Sequence, residues 1–446
     1  MSSSAASPPP PPAPPQADDS AAAGSASDSM LSRRFGKEVV NYYAGSRLNR
    51  YSFLRSDAAF LSRAVASPVS RFILLHNLSP LVFASSSNSN NNNSAAPSHP
   101  PPTPPQLASF TFDDVKPLIG PDPFARTDRQ AIDAFDSHAP GGPLIVFLGA
   151  IDEGPGVSAD DVAHLDTSAH GVVRAQPFFA VDATPPARAG PEAEAIAAFL
   201  ERHEARGVSI QTDVRSMTFD FDAASMFAQA RSMMDWNARN PFCAGCGSPT
   251  LSIEAGYKRV CPPADLHGPP RPDCPTRRGI SNLCFPRSDP TMIAAVVSAD
   301  GQRILLGRQS RYPPRWYSTL AGFLEPGESV EDAVRREVWE EAGVKVGRVV
   351  IHSTQPWPYP STLMLGAIAQ ALPGHENILL NDNELEAAQW FTLDQVRLAL
   401  TKTSSMADRA PKGDDDGSLR VPPPQAIANR LMTAVVQGFL TGIPKI

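Results

Sequence analysis

G-F-L-E-P-G-E-S-V-E-D-A-V-R-R-E-V-W-E-E-A-G-V runs from Gly322 to Val344. Pro326-Gly327 turns the chain, Ser329 with Asp332 has the form of a capping pair that starts a helix, and Gly343 is placed to end it in the left-handed conformation. The spacing predicts one helix over Val330 to Ala342, about three turns long. Glu337 and Glu341 are four residues apart and Glu340 is three from Glu337, so the three carboxylates share a face. Like charges at that range repel, cost stability and raise one another's pKa unless a cation lies among them. Magnesium suits such a face, because Mg2+ takes a few carboxylates and fills its other positions with waters and phosphate oxygens. Val334 and Val338, at i and i+4 on another face, are the apolar anchors expected to hold the helix to a sheet.

The segment fits, at every fixed position, the pattern Gly-x5-Glu-x7-Arg-Glu-U-x-Glu-Glu-x-Gly-U, with U an apolar aliphatic residue, and so resembles the Nudix hydrolases. The bland alternative is a solvated acidic helix face, and a chance match over so many fixed positions makes it a poor one. Ten residues past the helix comes S-T-Q-P-W-P-Y-P-S-T, Ser353 to Thr362. Proline at every second position fixes an extended backbone and removes amide donors, which excludes an interior strand or helix and predicts a rigid loop presenting the faces of Trp357 and Tyr359. This run resembles the S-Q-P-W-P-F-P-x-S motif of the NADH pyrophosphatase subfamily, with Thr354, Tyr359 and Thr362 standing for Ser, Phe and Ser.

Phe242-Cys243-Ala244-Gly245-Cys246-Gly247 is a Cys-x2-Cys turn in which small residues let two thiolates converge, and Cys261 and Cys274 follow. Four thiolates favour a tetrahedral structural zinc, closed to chemistry. The long stretch between Cys261 and Cys274 reads as an inserted loop that carries His267, a lesser candidate ligand, while Cys284 competes for the fourth place. Cys274 is preferred, because D-C-P followed by F-P-R-x-D-P at Phe285 to Pro290 resembles the passage of this subfamily from its last cysteine into the catalytic domain. A disulfide framework is not expected in a chain this large and otherwise poor in cysteine.

The 446 residues are long enough for two or three domains, and a net charge of −7 argues against a strongly basic nucleic-acid surface. Without an apolar run near the ~18 residues that span a bilayer, and without a signal-like start, the chain is expected to be soluble and intracellular, with no membrane partner. Residues 1–30 form a Pro/Ala/Ser tail expected to be disordered, as are an insert at 85–106 and a flexible insert at 404–418. Strands are expected at Arg71 to Leu78, Leu144 to Gly149 and Phe178 to Asp182, with helices at Pro191 to Arg206 and Ala223 to Asn237. Further on, Met292 to Val297, Arg303 to Arg308, Val349 to His352 and Leu363 to Gln370 read as a sheet and Val421 to Gly438 as a terminal helix. The expected fold is α/β (α+β): an N-terminal mixed α/β domain at 31–240, a zinc ribbon at 241–288, and a Nudix α/β/α sandwich with a mixed sheet at 289–446.

The resemblance implies residue roles. Glu337, Glu341, Glu384 and the carbonyl of Ala321 would hold catalytic Mg2+ or Mn2+, and Cys243, Cys246, Cys261 and Cys274 one structural Zn2+. Glu340 or Glu341 would act as general base, and Arg336 would orient a neighbouring glutamate through a charge-assisted bond. Phe285, Gln355, Pro356, Trp357, Pro358, Tyr359, Pro360, Ser361, Thr362 and Ala428 match positions that line the nucleotide site. The implied activity is hydrolysis of NADH and NAD+ to the mononucleotides, NAD(H) being substrate and not cofactor. The rivals are removal of an NAD cap from RNA, hydrolysis of ADP-ribose or another dinucleotide, and a zinc-ribbon protein that only senses nucleotides, although the last would expect erosion of the acidic cluster. A homodimer follows from the same resemblance. The terminal Pro444-Lys445-Ile446 loosely matches a peroxisomal address read by an import receptor, which gives an expected location in peroxisome and/or cytoplasm.

Overall fold

The structure is a computed structural model that describes residues 39–83, 105–139, 142–186, 189–215, 218–278, 282–381, 384–402 and 417–438. The expected tail at 1–30, all but the ends of the two inserts, and Pro444 to Ile446 lie outside the described residues. Among the described residues no helix is long and apolar enough to cross a membrane.

The N-terminal unit runs through α1 (Ala58–Ala66), β1 (Arg71–His76), β2 (Ser79–Phe83), β3 (Gln106–Leu107), α2 (Phe112–Ile119), α3 (Asp128–Asp133), β4 (Ile145–Asp152), β5 (Ala163–Asp166), β6 (Val172–Asp182), α4 (Pro191–Glu204), β7 (Val208–Ile210) and α5 (Phe221–Arg239). Its sheet has the order β3-β2-β1-β6-β4, with β5 on β6 and β7 on β2, and β1 and β6 run parallel. Both faces are covered, which is why β1 reads as a continuous apolar run. Phe72 and Leu74 join Phe60, Phe147 and Phe199 on one side, while Ile73 and Leu75 join Phe227 and Met233 of α5 on the other.

The helix α5 feeds directly into the cysteine turn, followed by the small hairpin of β8 (Leu251–Ile253) and β9 (Lys258–Val260). Then come β10 (Asp289–Val297), β11 (Arg303–Arg308), β12 (Leu320–Phe323), α6 (Val330–Ala342), β13 (Val346–Trp357), β14 (Thr362–Ala371), β15 (Ala387–Thr392), α7 (Leu393–Thr401) and α8 (Ile427–Val436). The sheet order is β13-β14-β10-β11-β15, with β10 parallel to β14 and β12 paired to β10. Alternation along β10 sorts the two layers: Met292, Ala294 and Val296 meet Val334 and Val338 of α6, whereas Ile293, Ala295 and Val297 meet Val396 of α7 and Leu431 of α8. This is an α/β/α sandwich on a mixed sheet.

Two expectations need correction. The terminal helix occupies Ile427–Val436 rather than Val421 to Gly438, because Pro422, Pro423 and Pro424 lack amide donors and push the residues before them out of helical geometry. The proline-alternating run is not a loop over its whole length: β13 continues through Gln355, Pro356 and Trp357, paired to Met364, Leu363 and Thr362 of β14. β13 lies at the end of the sheet order. A ladder on one side needs donors only at alternate residues, so prolines at every second position permit an edge strand while forbidding an interior one.

Candidate active site and metal centres

The helix α6 is built by the devices its sequence displays. Ser329 Oγ accepts from Asp332 N at the N-cap, Gly343 ends the helix with φ of 70°, and Val334 and Val338 are fully buried. Those contacts fix the rotation of the helix, and rotation decides where its acids point. Glu341 is 2% exposed, while the Glu337 and Glu340 side chains are 13% and 41% exposed.

Arg336 organises the face. Its Nη1 donates to Glu337 Oε1 at 2.9 Å and to Glu340 Oε2 at 2.8 Å, its Nε to Glu328 Oε1 at 2.6 Å, and its Nη2 to Glu328 Oε2 at 2.9 Å and to Phe323 O at 2.9 Å. One guanidinium thus gathers three carboxylates and the end of β12. Glu328 is the residue that sequence reasoning left without a role, although it occupies a fixed position of the segment. The Arg336 side chain beside it holds its carboxyl down at about 2.

Gly322 on β12 makes room for Glu337. A Cβ there would stand 2.1 to 2.3 Å from the Glu337 carboxyl atoms, so the carboxylate lies against bare backbone next to Ala321, itself paired to Ile293 of β10. Burial raises the Glu337 pKa against the pull of Arg336, and the charges of Glu340 and Glu384 raise it further. Hard oxygen donors in a partly desolvated setting suit a divalent cation, and the carboxylate cradle fits one. The carboxylates of Glu337, Glu341 and Glu384 nevertheless do not all lie within 4.8 Å of one another.

The cysteines behave differently. Sγ atoms of Cys243, Cys246, Cys261 and Cys274 all lie within 4.8 Å of one another, with Cys243 to Cys274 at 3.6 Å and Cys246 to Cys261 at 3.5 Å. Four sulfurs bonded to zinc at ~2.3 Å stand about 3.8 Å apart in a tetrahedron, so the set fits the ion. Backbone bonds from Cys246 N and Gly247 N to Cys243 O close the turn, and Arg277 Nη2 donates to Cys261 Sγ at 3.2 Å. Burial pushes the Cys261 thiol up to about 12, whereas hydrogen bonds from Ser248 draw Cys246 down to about 6. Cys284 stays outside the set, its Sγ 3.9 Å from Thr276 O. His267 is also outside it and pairs with Asp136.

The remaining site residues form a seam between the two sheets. Trp357 and Tyr359 do not present free faces: they pack on the α5 side of the N-terminal core, with ring centroids 6.0 and 6.4 Å from that of Tyr43. The Tyr43 and Tyr359 hydroxyls are 3.2 Å apart, and Tyr359 donates to Val214 O at 2.7 Å. Arg231 of α5 donates through Nε to Pro358 O at 2.8 Å and through Nη1 to Leu78 O, and lies over the Tyr359 ring. Gln355 is 1% exposed and joins three segments, its Nε2 donating to Tyr42 O at 2.9 Å and Gln425 O at 2.8 Å, its Oε1 accepting from Ile427 N at 3.0 Å. Ala428 is buried in the layer under α8 at 3% exposure. Phe285 sits apart from these, under Lys258 at 5.2 Å. Pro356, Pro360 and Ser361 are half-buried, while Pro358 and Thr362 are buried. Asn41 and Arg231 were left without a role by the sequence: Asn41 Nδ2 donates to Ser353 Oγ at 3.0 Å and to Thr354 O at 2.8 Å, and the Arg231 bonds likewise reach partners more than 100 residues away.

Residues 289–411 match the NUDIX domain model, and residues 238–268 match the NADH pyrophosphatase zinc ribbon domain model. The ribbon match ends before Cys274, inside the insertion that delays the fourth cysteine. A relative from Macaca fascicularis, NAD-capped RNA hydrolase NUDT12, is 35% identical over 89% of this chain and 73% of its own. The chain belongs to the Nudix hydrolases that carry this zinc ribbon. The NAD-capped RNA hydrolase of Schizosaccharomyces pombe is 32% identical over 88% of this chain and 92% of its own. NAD(P)H pyrophosphatase NUDT13 of Mus musculus, a mitochondrial protein by its name, is 38% identical over 48% of this chain and 55% of its own.

Proposed function

We propose that this Nudix hydrolase cleaves the pyrophosphate of NADH and NAD+, adding water across the P–O–P bridge to give nicotinamide mononucleotide, reduced or oxidised, and AMP. The observation that carries the reading is the Arg336-gathered carboxylate face of α6, joined in one chain to a four-cysteine ribbon. Glu337, Glu341, Glu384 and the Ala321 carbonyl would hold Mg2+ or Mn2+. Such a cation supplies charge neutralisation at the diphosphate when bound. Arg336 holds Glu337 and Glu340 in fixed orientations, so little reorganisation is left for the moment of reaction. The proton of the attacking water goes to Glu340 or Glu341, and the pH profiles of E340Q and E341Q separate the two. The ribbon is read as a structural zinc site.

A second reading, removal of an NAD cap from RNA, is favoured by the names of the two relatives aligned over most of this chain. Purified protein with Mg2+ or Mn2+, offered NADH, NAD+, ADP-ribose and NAD-capped RNA side by side, decides between them by kcat/KM. Failure to cleave any nicotinamide substrate sinks both readings. A homodimer and partial peroxisomal import through Pro444 to Ile446, with a cytosolic pool, belong to the same proposal. Light scattering tests the first, and loss of puncta on deleting the three residues tests the second.

A further inference from the structure

The insertion between Cys261 and Cys274 reaches back to the loop at 135–138 of the N-terminal unit. Leu266 N donates to Phe135 O at 3.0 Å, Ser137 N donates to Asp265 Oδ1 at 2.9 Å, and the Arg271 guanidinium lies 4.8 Å from the centroid of the Phe135 ring. At this junction Asp136, His138 and Asp265 each bring a ligand-type atom within 4.8 Å of the others. His138 Nδ1 is 3.9 Å from Asp136 Oδ1, and His267 Nδ1 is 2.7 Å from Asp136 Oδ2. The thiolate set is complete without any of these four residues.

We propose that Asp136, His138 and Asp265 form a second metal site, for a divalent transition cation of the zinc class, with His267 orienting Asp136 from behind. One imidazole and two carboxylates make a mixed nitrogen and oxygen set, which suits zinc and its neighbours and is a poor match for magnesium. Bonds of ~2.1 Å place tetrahedral ligand atoms about 3.4 Å apart, so binding requires a contraction of about an ångström. That movement falls on His138, whose side chain is 66% exposed. Asp265 is already fixed, its side chain 2% exposed and its Oδ2 held by Arg271 Nη2 at 3.0 Å. The bond from His267 to Asp136 is the outer contact that keeps a ligating carboxylate aimed. The Arg271 charge leaves this site weaker than the thiolate set, so it fills second. Its occupation ties the N-terminal unit to the ribbon insertion, two segments that no strand pairing joins among the described residues.

The test uses the full chain, purified without chelator and equilibrated by dialysis against excess Zn2+. Metal analysis is expected to give about one equivalent more for the wild type than for H138A or D136A, whatever the carboxylate face of α6 holds in both. Co2+ added to protein already holding the first zinc should give weak ligand-field bands without thiolate-to-metal charge transfer, and the share of them due to this site should be missing from H138A. One equivalent in the wild type, or equal uptake by H138A, overturns the proposal. The thiolate-bound zinc reports folding in the same sample. Should H138A lose both metals, H138Q decides, since it keeps the bulk and hydrogen bonding of the side chain without a strong ligand. Hydrolytic activity does not enter the readout, so the result is independent of the proposed function.

Discussion

In the cysteine set the paired sulfurs stand 3.5 and 3.6 Å apart, whereas the carboxylates of Glu337, Glu341 and Glu384 do not all come within 4.8 Å of one another. The turn at Cys243 to Gly247 brings the sulfurs together by its backbone bonds. Ionised carboxylates repel by ~4 kcal/mol at 4 Å and an effective dielectric of 20. On α6 Arg336 offsets that repulsion by bonding Glu337 and Glu340 together with Glu328. On the proposed reading the ribbon is a closed site whose geometry is fixed by backbone, and the acidic face an open one that a cation completes.

The largest effect should come from the open site. E341Q and E337Q are each expected to lower kcat by ~1000-fold or more with an unchanged far-UV spectrum, because positioning and charge stabilisation supply most of the rate in phosphoryl transfer. Near-normal turnover with Mg2+ would remove Glu341 from the ligand set.

The closed site should answer in stability instead. C274S, or zinc removal by a chelator, is expected to lower the melting temperature by ~10 °C or more while the chemical step at a permissive temperature changes much less. C284S should keep its zinc. Metal analysis of the two variants checks the choice of fourth ligand, and zinc retained in C274S but lost in C284S would reverse it.

Arg336→Lys tests whether the acids are held rather than merely neutralised. A lysine keeps the charge but cannot serve Glu328, Glu337 and Glu340 together, and a loss of about 10- to 100-fold in kcat/KM is expected. An unchanged rate would mean that charge alone is needed there.

Smaller effects belong to the seam. Trp357→Ala should raise KM for NADH several-fold, on the scale of ~0.5 to 1.5 kcal/mol for an aromatic contact, and more than it raises KM for ADP-ribose. It should also lower stability, since the ring packs toward Tyr43. Equal losses on both substrates would confine Trp357 to packing. Tyr43→Phe removes only the hydroxyl that meets Tyr359, and about 1 kcal/mol in urea unfolding is the expected cost.

The sequence by itself determined what local geometry controls. The limits of α6, its cap at Ser329, its stop at Gly343, its buried valines and the acidic face all follow from spacings of three and four residues. The cysteine turn and the alternation of β10 are equally local. Only the tertiary structure decided where distant segments meet. It drew Cys274 rather than Cys284 to the sulfur set, turned the proline run into an edge strand against β14, and placed Arg231, more than 100 residues away in sequence, behind Tyr359. It also gave Glu328 its partner by folding the turn before α6 back onto Arg336. Periodicity fixes which face a side chain takes. What lies opposite that face depends on how the sheets and the insertion close on one another, and no spacing within a single segment encodes it.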